Sequence, residues 1–374
     1  MQEAGRVVQT PQGFWAFVPA PLPPRLNYNA DFVTLLSRAD AALSELSGIG
    51  RVLPNPHLLI APWVRREAVL SSRIEGTRAS LSDLLIDEIE GDHAGPKPTD
   101  DVREVRNYVD ALEYGIARLK ELPLSLRLVR ELHERLMKGV RGEKATPGEF
   151  RRLQNWIGPK GSTPETAAYV PPPVTELDTC LNDWEKFLHE RGSMPELVQC
   201  AIMHEQFEAI HPFLDGNGRV GRLLITLFLI ERGRLYQPLL YLSDYIDEHR
   251  KDYYNLLQRV RTHGDWDAWI RYFILGVATI AAQAVKQSSE LLDIRERFMA
   301  RVKDKPRALV LVDELFTNPY ITVARAQKVL GVTNPTARKA VELLLQHDII
   351  APLGAKRWGK IYLSRPVLDA IEQK

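Results

Sequence analysis

The chain has 374 residues, of which 45% are hydrophobic and 26% are charged, values close to the averages of globular proteins. The formal net charge is +1 at pH 7, so no overall charge directs the chain toward nucleic acid, an anionic membrane or an acidic substrate. Two cysteines, Cys180 and Cys200, lack CxxC or CxxH spacing, which argues against structural zinc and a disulfide framework.

The first thirty residues are polar at the start and proline-rich at the end. MQEAGRVVQT has no apolar segment of signal-peptide type, and with the two reduced cysteines this favours a cytoplasmic protein. The following run FVPAPLPPRL predicts an extended strap over a surface rather than a core element.

Helical periodicity begins at Asp31. A single apolar stripe runs along the first predicted helix, formed by Phe32, Leu35, Leu36, Ala39 and Leu43. Gly48 is placed after the end of that helix. In the second helix, Pro62 suits the first turn and Gly76 the position after the last residue. The sequence SLSD at residues 80–83 resembles a capping box and predicts the start of a third helix.

The middle of the chain alternates helices with one irregular segment. Helices are expected at about 100–120 and 125–140. Residues 141–173 have glycine and proline around the short segments QNWIG and AAYVP, which predicts a hairpin or an exposed loop with strand tendency. Helical patterning resumes at Val174.

Three more helices are predicted around the most apolar part of the chain. Ser193 and Glu196 form an N-terminal capping signature for the helix ELVQCAIMHEQFEAI, and two helices follow near 247–262 and 265–290. The apolar stretches LLITLFLI and FILGVATIAAQAV are shorter than the ~20 residues that span a bilayer. We therefore expect buried helices and no membrane association.

The C-terminal part, from about Pro306, has a different pattern. Residues 321–346 predict a helix, a glycine-containing turn and a second helix, and the strand-like KIYL follows a basic stretch. This order is typical of a winged helix-turn-helix.

The stretch HPFLDGNGRVGR at residues 211–222 places helix breakers and charges directly before an apolar helix. The first turn of a helix has unpaired N–H groups and a positive dipole end, which together bind phosphate. Arg219 and Arg222 lie three residues apart, where two guanidinium groups can hold phosphate oxygens. Asp215 suits Mg²⁺, which takes one or two carboxylates plus phosphate oxygens and water. His211 suits a general base for an incoming hydroxyl group.

Two other nucleotide-binding patterns fit less well. GNGRVG matches G-x-G-x-x-G, but a helix rather than an apolar strand precedes it, so a dinucleotide fold is not indicated. The chain has no P-loop pattern and no kinase HRD or DFG motif.

The same stretch resembles the signature of the Fic family, HPFx[D/E]GNGRxxR, with every fixed position filled. The resemblance covers about residues 100–260 and implies a mainly α fold, in which a helical Fic core carries a short β-hairpin flap. It implies a protein adenylyltransferase that moves AMP from ATP to a Ser, Thr or Tyr hydroxyl of a target protein or of itself. His211 is then the general base and Asp215 the Mg²⁺ ligand. The implied nucleotide-binding residues are Gly216, Asn217, Gly218, Arg219, Val220, Gly221 and Arg222.

Two further segments gain a role from the resemblance. Residues 151–170 look like the flap of the family, where an extended target segment adds beside a strand edge, with Ile157 and Gly158 as its working part. DYYNLL at residues 252–257 resembles the helix near the adenine, so Tyr253 and Tyr254 are candidates for the base pocket. Adjacent helical residues point in different directions, so one of the two tyrosines is expected in the core.

SSRIEG at residues 71–76 matches the inhibitory motif of the family, [S/T]xxxE[G/N], through Ser71, Glu75 and Gly76. Ser71 and Glu75 are four residues apart on one helix face, and Gly76 ends the helix. The resemblance implies that Glu75 pairs with Arg222 and keeps it from the terminal phosphate of ATP. In some relatives the same glutamate helps to remove AMP from targets, so de-AMPylation is a second activity that the resemblance leaves open.

These patterns divide the chain into residues 1–98 with the inhibitory motif, a catalytic core at 99–290 and a winged helix-turn-helix domain at 291–374. The alternative function is a transcription regulator that binds DNA through residues 306–374. Its basic candidates are Arg338 and Lys339 on the second helix and Lys356, Arg357 and Lys360 in the wing, although Glu342 follows the first pair. A homodimer is also left open.

Overall fold

The computed structural model describes residues 4–52, 57–90, 98–140, 146–159, 161–354 and 359–373. Most of these residues are helical, which confirms the expected mainly α class. One continuous cluster of buried apolar side chains runs from Val18 to Ile371 and includes residues of every described helix.

The N-terminal segment forms a hairpin where we expected only an extended strap. Strand β1 (Gly5–Gln9) pairs antiparallel with β2 (Trp15–Pro19), with Gly5 opposite Pro19. Ala16 and Val18 are buried while Trp15 is exposed, which is the alternation of a strand with one packed face. The alternation is short and is followed by a proline-rich run, so the sequence pattern did not predict these strands.

The first three helices carry the inhibitory motif. They are α1 (Ala30–Val52), α2 (His57–Ile74) and α3 (Leu81–Glu90). The predicted helix end at Gly48 is wrong, because α1 continues through it along the later helix Trp266–Arg301, and that packing outweighs the ~1 kcal/mol penalty of a helical glycine. Pro62 is the sixth residue of α2 rather than part of its first turn. Gly76 follows α2 with φ of +96°, as predicted.

The capping box that opens α3 is confirmed. The Ser80 amide donates to Asp83 Oδ2 at 2.9 Å, and the Asp83 amide donates to Ser80 Oγ at 3.1 Å. Ser193, in contrast, does not cap the helix after it: its hydroxyl donates to Glu190 Oε2 at 3.2 Å, and Pro195 occupies the N-cap position. The helix nevertheless begins at Glu196, as expected.

The core helices follow the predicted order, apart from the short helix Ser243–Glu248, which was not predicted. They are α4 (Asp100–Arg118), α5 (Leu126–Leu136), α6 (Val174–His189), α7 (Glu196–Ile210), α8 (Asn217–Glu231), α9 (Ser243–Glu248), α10 (Arg250–His263) and α11 (Trp266–Arg301). Every residue from Leu197 to Ile210 is buried, so α7 is the centre of the core. The end of α7 and the start of α8 enclose the 211–216 loop.

Helix α11 is longer than predicted. It has 36 residues and continues through the proposed domain boundary at 290/291 to Arg301. By length and composition it is the one described helix that passes the test for a membrane span, a test that buried core helices also pass. It packs against α1, α7, α9 and α10 and against two helices nearer the C-terminus, Pro306–Thr317 and Arg365–Glu372. Just over half of its most apolar stretch is buried.

The C-terminal unit, residues 306–374, contains helices and a small sheet. Its elements are α12 (Pro306–Thr317), β3 (Tyr320–Thr322), α13 (Val323–Leu330), α14 (Asn334–Gln346), β4 (Ala351–Leu353), β5 (Ile361–Leu363) and α15 (Arg365–Glu372). The antiparallel sheet has the order β3-β5-β4, and Gly331 turns the chain between α13 and α14 with φ of +63°. The predicted helix, turn and helix are present, and the classification as a winged helix stays a prediction.

Candidate active site

His211 adopts a backbone conformation that a non-glycine residue rarely takes. It follows α7 with φ of 50° and ψ of 61°, in the left-handed region. Its carbonyl oxygen accepts hydrogen bonds from Arg151 Nε at 3.0 Å and Asn155 Nδ2 at 3.1 Å. Two buried side chains of the flap segment therefore hold the histidine at the turn into the motif loop.

Asn217 closes the motif loop on itself. Its Oδ1 accepts from the Phe213 amide and its Nδ2 donates to the Phe213 carbonyl, both at 2.8 Å. The Phe213 ring stacks on the ring of His133, with 3.7 Å between the centroids. The Asn217 side chain is thus fully used inside the protein, and only its backbone amide remains for a ligand.

His133 on α5 supports the loop from below. Its Nδ1 accepts from the Gly148 amide at 2.9 Å, so Nε2 carries the proton and donates to the Asp215 carbonyl at 3.0 Å. Burial lowers the pKa of His133 to about 4, which keeps this ring neutral near pH 7.

The imidazole of His211 is in the form that a general base requires. Burial lowers its pKa to about 3, and the positive charges of Arg261 and Arg151 act in the same direction. The carbonyl of Glu208 and the carboxylate of Glu75 oppose this shift without cancelling it. The ring is therefore unprotonated near pH 7 and free to accept a proton.

The start of α8 presents unpaired backbone donors. Gly216 is the N-cap with φ of 79°, and the first bond inside the helix runs from the Val220 amide to the Gly216 carbonyl. The helix provides no acceptor for the amides of residues 217–219, so these donors and the helix dipole form the expected anion site. Asp215, whose side chain is half exposed, accepts from the Gly216 amide at 2.6 Å.

The inhibitory motif reaches this site from α2. Arg222 Nη2 donates to Glu75 Oε1 at 2.7 Å, and Arg222 Nε donates to Ser71 Oγ at 2.8 Å. The Ser71 carbonyl accepts a third bond from Arg222 Nη2 at 2.9 Å. Arg222 is buried and these three bonds fix its guanidinium group against α2.

The Glu75 carboxylate also covers the first turn of α8. A Cβ atom on Gly218 would collide with Glu75 Oε1, so only glycine fits beneath the carboxylate in this arrangement. Burial alone would raise the pKa of Glu75, but the charges of Arg222 and Arg219 hold it below its usual range. An ionised carboxylate thus occupies the position over the helix N-terminus that suits a phosphate group.

Arg219 does not reach into the open site with its side chain. Its guanidinium group is buried, with Nη1 3.5 Å from Glu104 Oε2 and Nη2 4.0 Å from Asp215 Oδ1. Glu104 Oε2 also accepts from Thr77 Oγ1 at 2.9 Å, which links the motif to the turn after Gly76. The phosphate contact of Arg219 stays a prediction, and in this arrangement its side chain is buried against Glu104 while its backbone amide lies in the first turn of α8.

Three residues predicted to contact the nucleotide are buried, and their role there stays a prediction. Val220 is fully buried in the core, and Gly221 lies against the carboxylate of Glu208, where a Cβ would approach to 2.6 Å. Tyr253 is 1% exposed and its hydroxyl bonds to His204 Nε2 at 2.9 Å. Tyr254 is 45% exposed, so it is the tyrosine that remains a candidate for the base pocket.

The flap segment is an irregular loop with one bridge rather than a regular hairpin. Ile157 and Tyr169 exchange both backbone hydrogen bonds, at 2.8 and 3.1 Å, and thereby connect the predicted segments QNWIG and AAYVP. Tyr169 is anchored by its hydroxyl to the Ala209 carbonyl at 2.7 Å and by Arg261 over its ring at 3.9 Å. Gly158 is exposed beyond the bridge.

Several residues at the site were not predicted from the sequence. Arg151, Asn155 and His133 act on the loop backbone from distant parts of the chain, and no short motif connects them to it. Glu208, one turn before His211, is buried, and its Oε1 has no hydrogen-bond partner in the described part of the chain. Burial raises the pKa of Glu208 to about 7, although the charge of Arg222 opposes that shift.

The basic candidates of the C-terminal unit are only partly within the described residues. Arg338 and Lys339 are exposed on α14, as is Glu342 one turn later, and Lys360 is exposed beside β5. Lys356 and Arg357 lie outside the described residues.

Family models match the two parts of the chain that build this site. A Fic/DOC family N-terminal model matches residues 33–117, and a Fic/DOC family model matches residues 123–229, together about half of the chain. Among curated proteins, the chain is 31% identical over 180 residues to protein adenylyltransferase Fic of Aedes aegypti and 30% identical over 179 residues to that of Drosophila grimshawi. Each alignment covers 47% of this chain, and the chain spans about a third of the length of these relatives.

Solved structures show the same fold. A Fic family protein from Desulfovibrio desulfuricans G20 superposes with a TM-score of 0.56 at 21% identity, covering 92% of this chain and 98% of that one. Fic-1 from C. elegans (residues 134–508) gives a TM-score of 0.52 at 21% identity, covering 70% and 72% of the two chains.

Proposed function

The chain belongs to the Fic/DOC family, and on that basis we propose that it is a protein adenylyltransferase that transfers AMP from ATP to a hydroxyl side chain of a protein. The target hydroxyl oxygen forms a bond to the α-phosphorus, the bond from that phosphorus to the bridging oxygen breaks, and pyrophosphate leaves. The hydroxyl proton passes to the unprotonated imidazole of His211.

One observation carries the proposal: a carboxylate already lies on the predicted triphosphate site. Glu75 Oε1 sits over Gly218 at the N-terminus of α8 and accepts from Arg222 at 2.7 Å. The guanidinium group of Arg222 binds one anion there in the observed arrangement, and phosphate oxygens suit that group and the unpaired amides at the start of α8.

Mg²⁺ fits this site through one protein carboxylate. The described residues contain no group of three or more His, Cys, Asp or Glu side chains that could hold a metal, so a site built from the protein alone is not indicated there. Asp215 is half exposed beside the anion site, and one carboxylate with phosphate oxygens and water satisfies Mg²⁺. The bound ion would neutralise charge on the phosphates, and Asp215 would hold it.

We further propose that the observed state is autoinhibited. While Glu75 and Ser71 hold Arg222, the arginine cannot contact the terminal phosphate, and the Glu75 carboxylate repels the triphosphate from the first turn of α8. Removal of the Glu75 side chain would leave Arg222 at the same place with its Nη2 donor available. De-AMPylation by the same glutamate is a separate activity, which can be measured with AMP-modified protein as the substrate.

The target segment is proposed to dock at the flap. Ile157 uses both of its backbone groups on Tyr169, so an incoming strand would pair with the exposed backbone beyond the bridge, at Gly158. Because Tyr169 is anchored to α7 two residues before His211, the flap and the base keep a fixed relative position.

Mass spectrometry tests this function directly. Glu75→Gly protein is incubated with ATP, Mg²⁺ and lysate, and peptides are searched for the mass of AMP on Ser, Thr or Tyr. We expect AMP on the protein itself or on a lysate protein, and Asp215→Asn in the same background should need more Mg²⁺. Absence of AMP from every peptide, with ATP and Mg²⁺ present, would contradict the proposal.

Cellular location and other partners stay proposals. Cys180 and Cys200 are buried and free, which suits the expected cytoplasmic location. DNA binding by residues 306–374 is kept as the alternative hypothesis, and a gel-shift titration against salt tests it, because phosphate contacts weaken as salt rises. A homodimer is tested by light scattering.

A further inference from the structure

The helix that carries the inhibitory motif lies between the catalytic core and the C-terminal unit. Helix α2 packs against α4, α8 and α9 of the core, and also against α12 and α15 of the C-terminal unit. Buried side chains of α2, such as Trp63, and of α12, such as Leu311 and Phe316, belong to the same apolar cluster. The C-terminal unit therefore shares a packed interior with α2.

Arg66 of α2 binds the end of the chain. Its Nη1 donates to the Ile371 carbonyl at 2.5 Å and to the Gln373 carbonyl at 3.1 Å, and its Nη2 donates to Asp244 Oδ2 at 2.6 Å. Its guanidinium group also lies 4.7 Å over the ring of Tyr241. Arg66 is buried and donates to the Ile371 carbonyl in the last turn of α15, whereas the Gln373 carbonyl also accepts from Gln287 Nε2 of α11.

The C-terminal unit also holds the helix that follows Glu75. Asn318 Nδ2 donates to the Leu85 carbonyl of α3 at 2.8 Å, and the Tyr320 hydroxyl donates to Ser82 Oγ at 2.8 Å. Both Asn318 and Tyr320 are buried. The turn that bears Glu75 is thus flanked by two helices, and each of them is fixed to the C-terminal unit.

We propose that the C-terminal unit holds α2 in the inhibitory position through Arg66, so that displacement of α12 or α15 withdraws Glu75 from Arg222. The proposal rests on the proposed function of Glu75, and Arg66 is a positioning residue that acts through that glutamate. A ligand that binds the displaced arrangement of the C-terminal unit more tightly than the observed arrangement would shift the protein toward the active state. The size of the shift is set by the difference between its two affinities.

The geometry supports transmission along the helix. Ser71 lies five residues after Arg66 on α2, and Glu75 follows directly after the last residue of that helix, so a shift of α2 moves both. The contacts of Arg222 to Ser71 and Glu75 are 2.7 to 2.9 Å long, and a displacement of about 1 Å takes such contacts outside hydrogen-bond range.

Hydrogen exchange of the full-length chain tests the positioning without using activity. In Arg66→Met, which keeps the length of the side chain and removes its donors, the amides of residues 70–77 should exchange at least about fivefold faster than in wild type. Arg73→Gln is the control, because Arg73 lies on the same helix with only a 3.7 Å contact to half-buried Asp247. Unchanged exchange in a folded Arg66→Met protein would overturn the proposal.

Activity provides a second, independent readout. Arg66→Met and the milder Tyr320→Phe should each raise AMP incorporation above wild type, and neither should add to Glu75→Gly in a double variant. Equal increases with and without Glu75 would show that Arg66 does not act through it and would overturn the proposal. If Arg66→Met fails to fold, Tyr320→Phe decides by both readouts.

Different results would exclude the proposed function and the positioning role of Arg66. If Glu75→Gly transfers no AMP, the proposed function fails, while the exchange experiment still tests whether the C-terminal unit holds α2. If Glu75→Gly is active but Arg66→Met and Tyr320→Phe leave both exchange and activity at wild-type values, only the positioning role fails.

Discussion

Glu75 Oε1 accepts a hydrogen bond from Arg222 Nη2 at 2.7 Å, across 147 positions of sequence. The pair joins the end of α2 to the first turns of α8, and it places a negative charge against the helix N-terminus. The same contact therefore occupies the arginine and holds a carboxylate beside the backbone donors that the proposed reaction requires.

Removal of this contact should activate the protein. We expect Glu75→Gly to raise self-modification by about tenfold or more, because a hydrogen bond to a charged group contributes about 1.5–3 kcal/mol. Ser71→Ala should give a smaller increase, since it removes one acceptor of Arg222 and keeps Glu75. Ser72→Ala is the matched control, because Ser72 is buried on the same helix and its hydroxyl has no partner in the described residues. Activity of Glu75→Gly at the wild-type level would contradict the inhibitory role.

Loss of the base should separate binding from transfer. His211→Ala in the Glu75→Gly background should bind ATP and Mg²⁺ with an unchanged dissociation constant, measured by calorimetry. Its rate of AMP transfer should fall by about 100-fold to 10,000-fold, the usual contribution of a positioned base. A rate above a tenth of the parent rate would assign the proton to another group.

The clamp on the His211 carbonyl should matter for rate rather than for nucleotide affinity. Arg151→Lys replaces a fork that reaches His211, Pro172 and Ile210 carbonyls by one ammonium group. We expect kcat to fall by about tenfold to a hundredfold with KM for ATP unchanged, since small misplacements of a base are costly. The neighbouring Arg152, 85% exposed, is the control: Arg152→Ala should leave both constants unchanged. An unchanged kcat in Arg151→Lys would refute the positioning role.

The buried Glu208 carboxyl group should make the stability of the folded protein depend on pH. Burial raises its pKa from 4.5 to about 7. Between these values the native state keeps a proton that the unfolded state loses, so this group's contribution to stability falls as the pH rises. Glu208→Gln should therefore be more stable than wild type in urea at pH 8, by about 2–3 kcal/mol, and similar to it near pH 4.5. Glu248→Gln, at an exposed position, should show no such difference. A Glu208→Gln stability that follows wild type at both pH values would contradict the assignment.

Local signals predicted much of the fold and the motif. The capping box at Ser80 and the helix end at Gly76 depend on neighbours in sequence, and both are confirmed. The end of α1 was misplaced because Gly48 is a strong local signal, and the packing of α1 along α11 is not visible in its own sequence. The hairpin at residues 5–19 was not predicted for the same reason, because it packs against Val170, which is far away in the sequence.

The sequence identified the motif residues of the candidate site, but it did not identify the residues that surround them. The pairing of Glu75 with Arg222 followed from the family resemblance and is present. Residue type alone does not show burial, and the side chains of Arg219 and Tyr253, both predicted to contact the nucleotide, make contacts inside the protein. Arg151 and Asn155 act on a carbonyl, which every residue has, so no sequence pattern marks their target.

The position of a radioactive label on ATP distinguishes AMP transfer from phosphate transfer. Glu75→Gly protein is incubated with Mg²⁺ and ATP that carries a radioactive phosphorus at either the α or the γ position, beside the Glu75→Gly/His211→Ala double variant. AMP transfer predicts stable label on protein from α-labelled ATP only, and only when His211 is present. Label from the γ position, or from neither position, would contradict adenylyl transfer at this site.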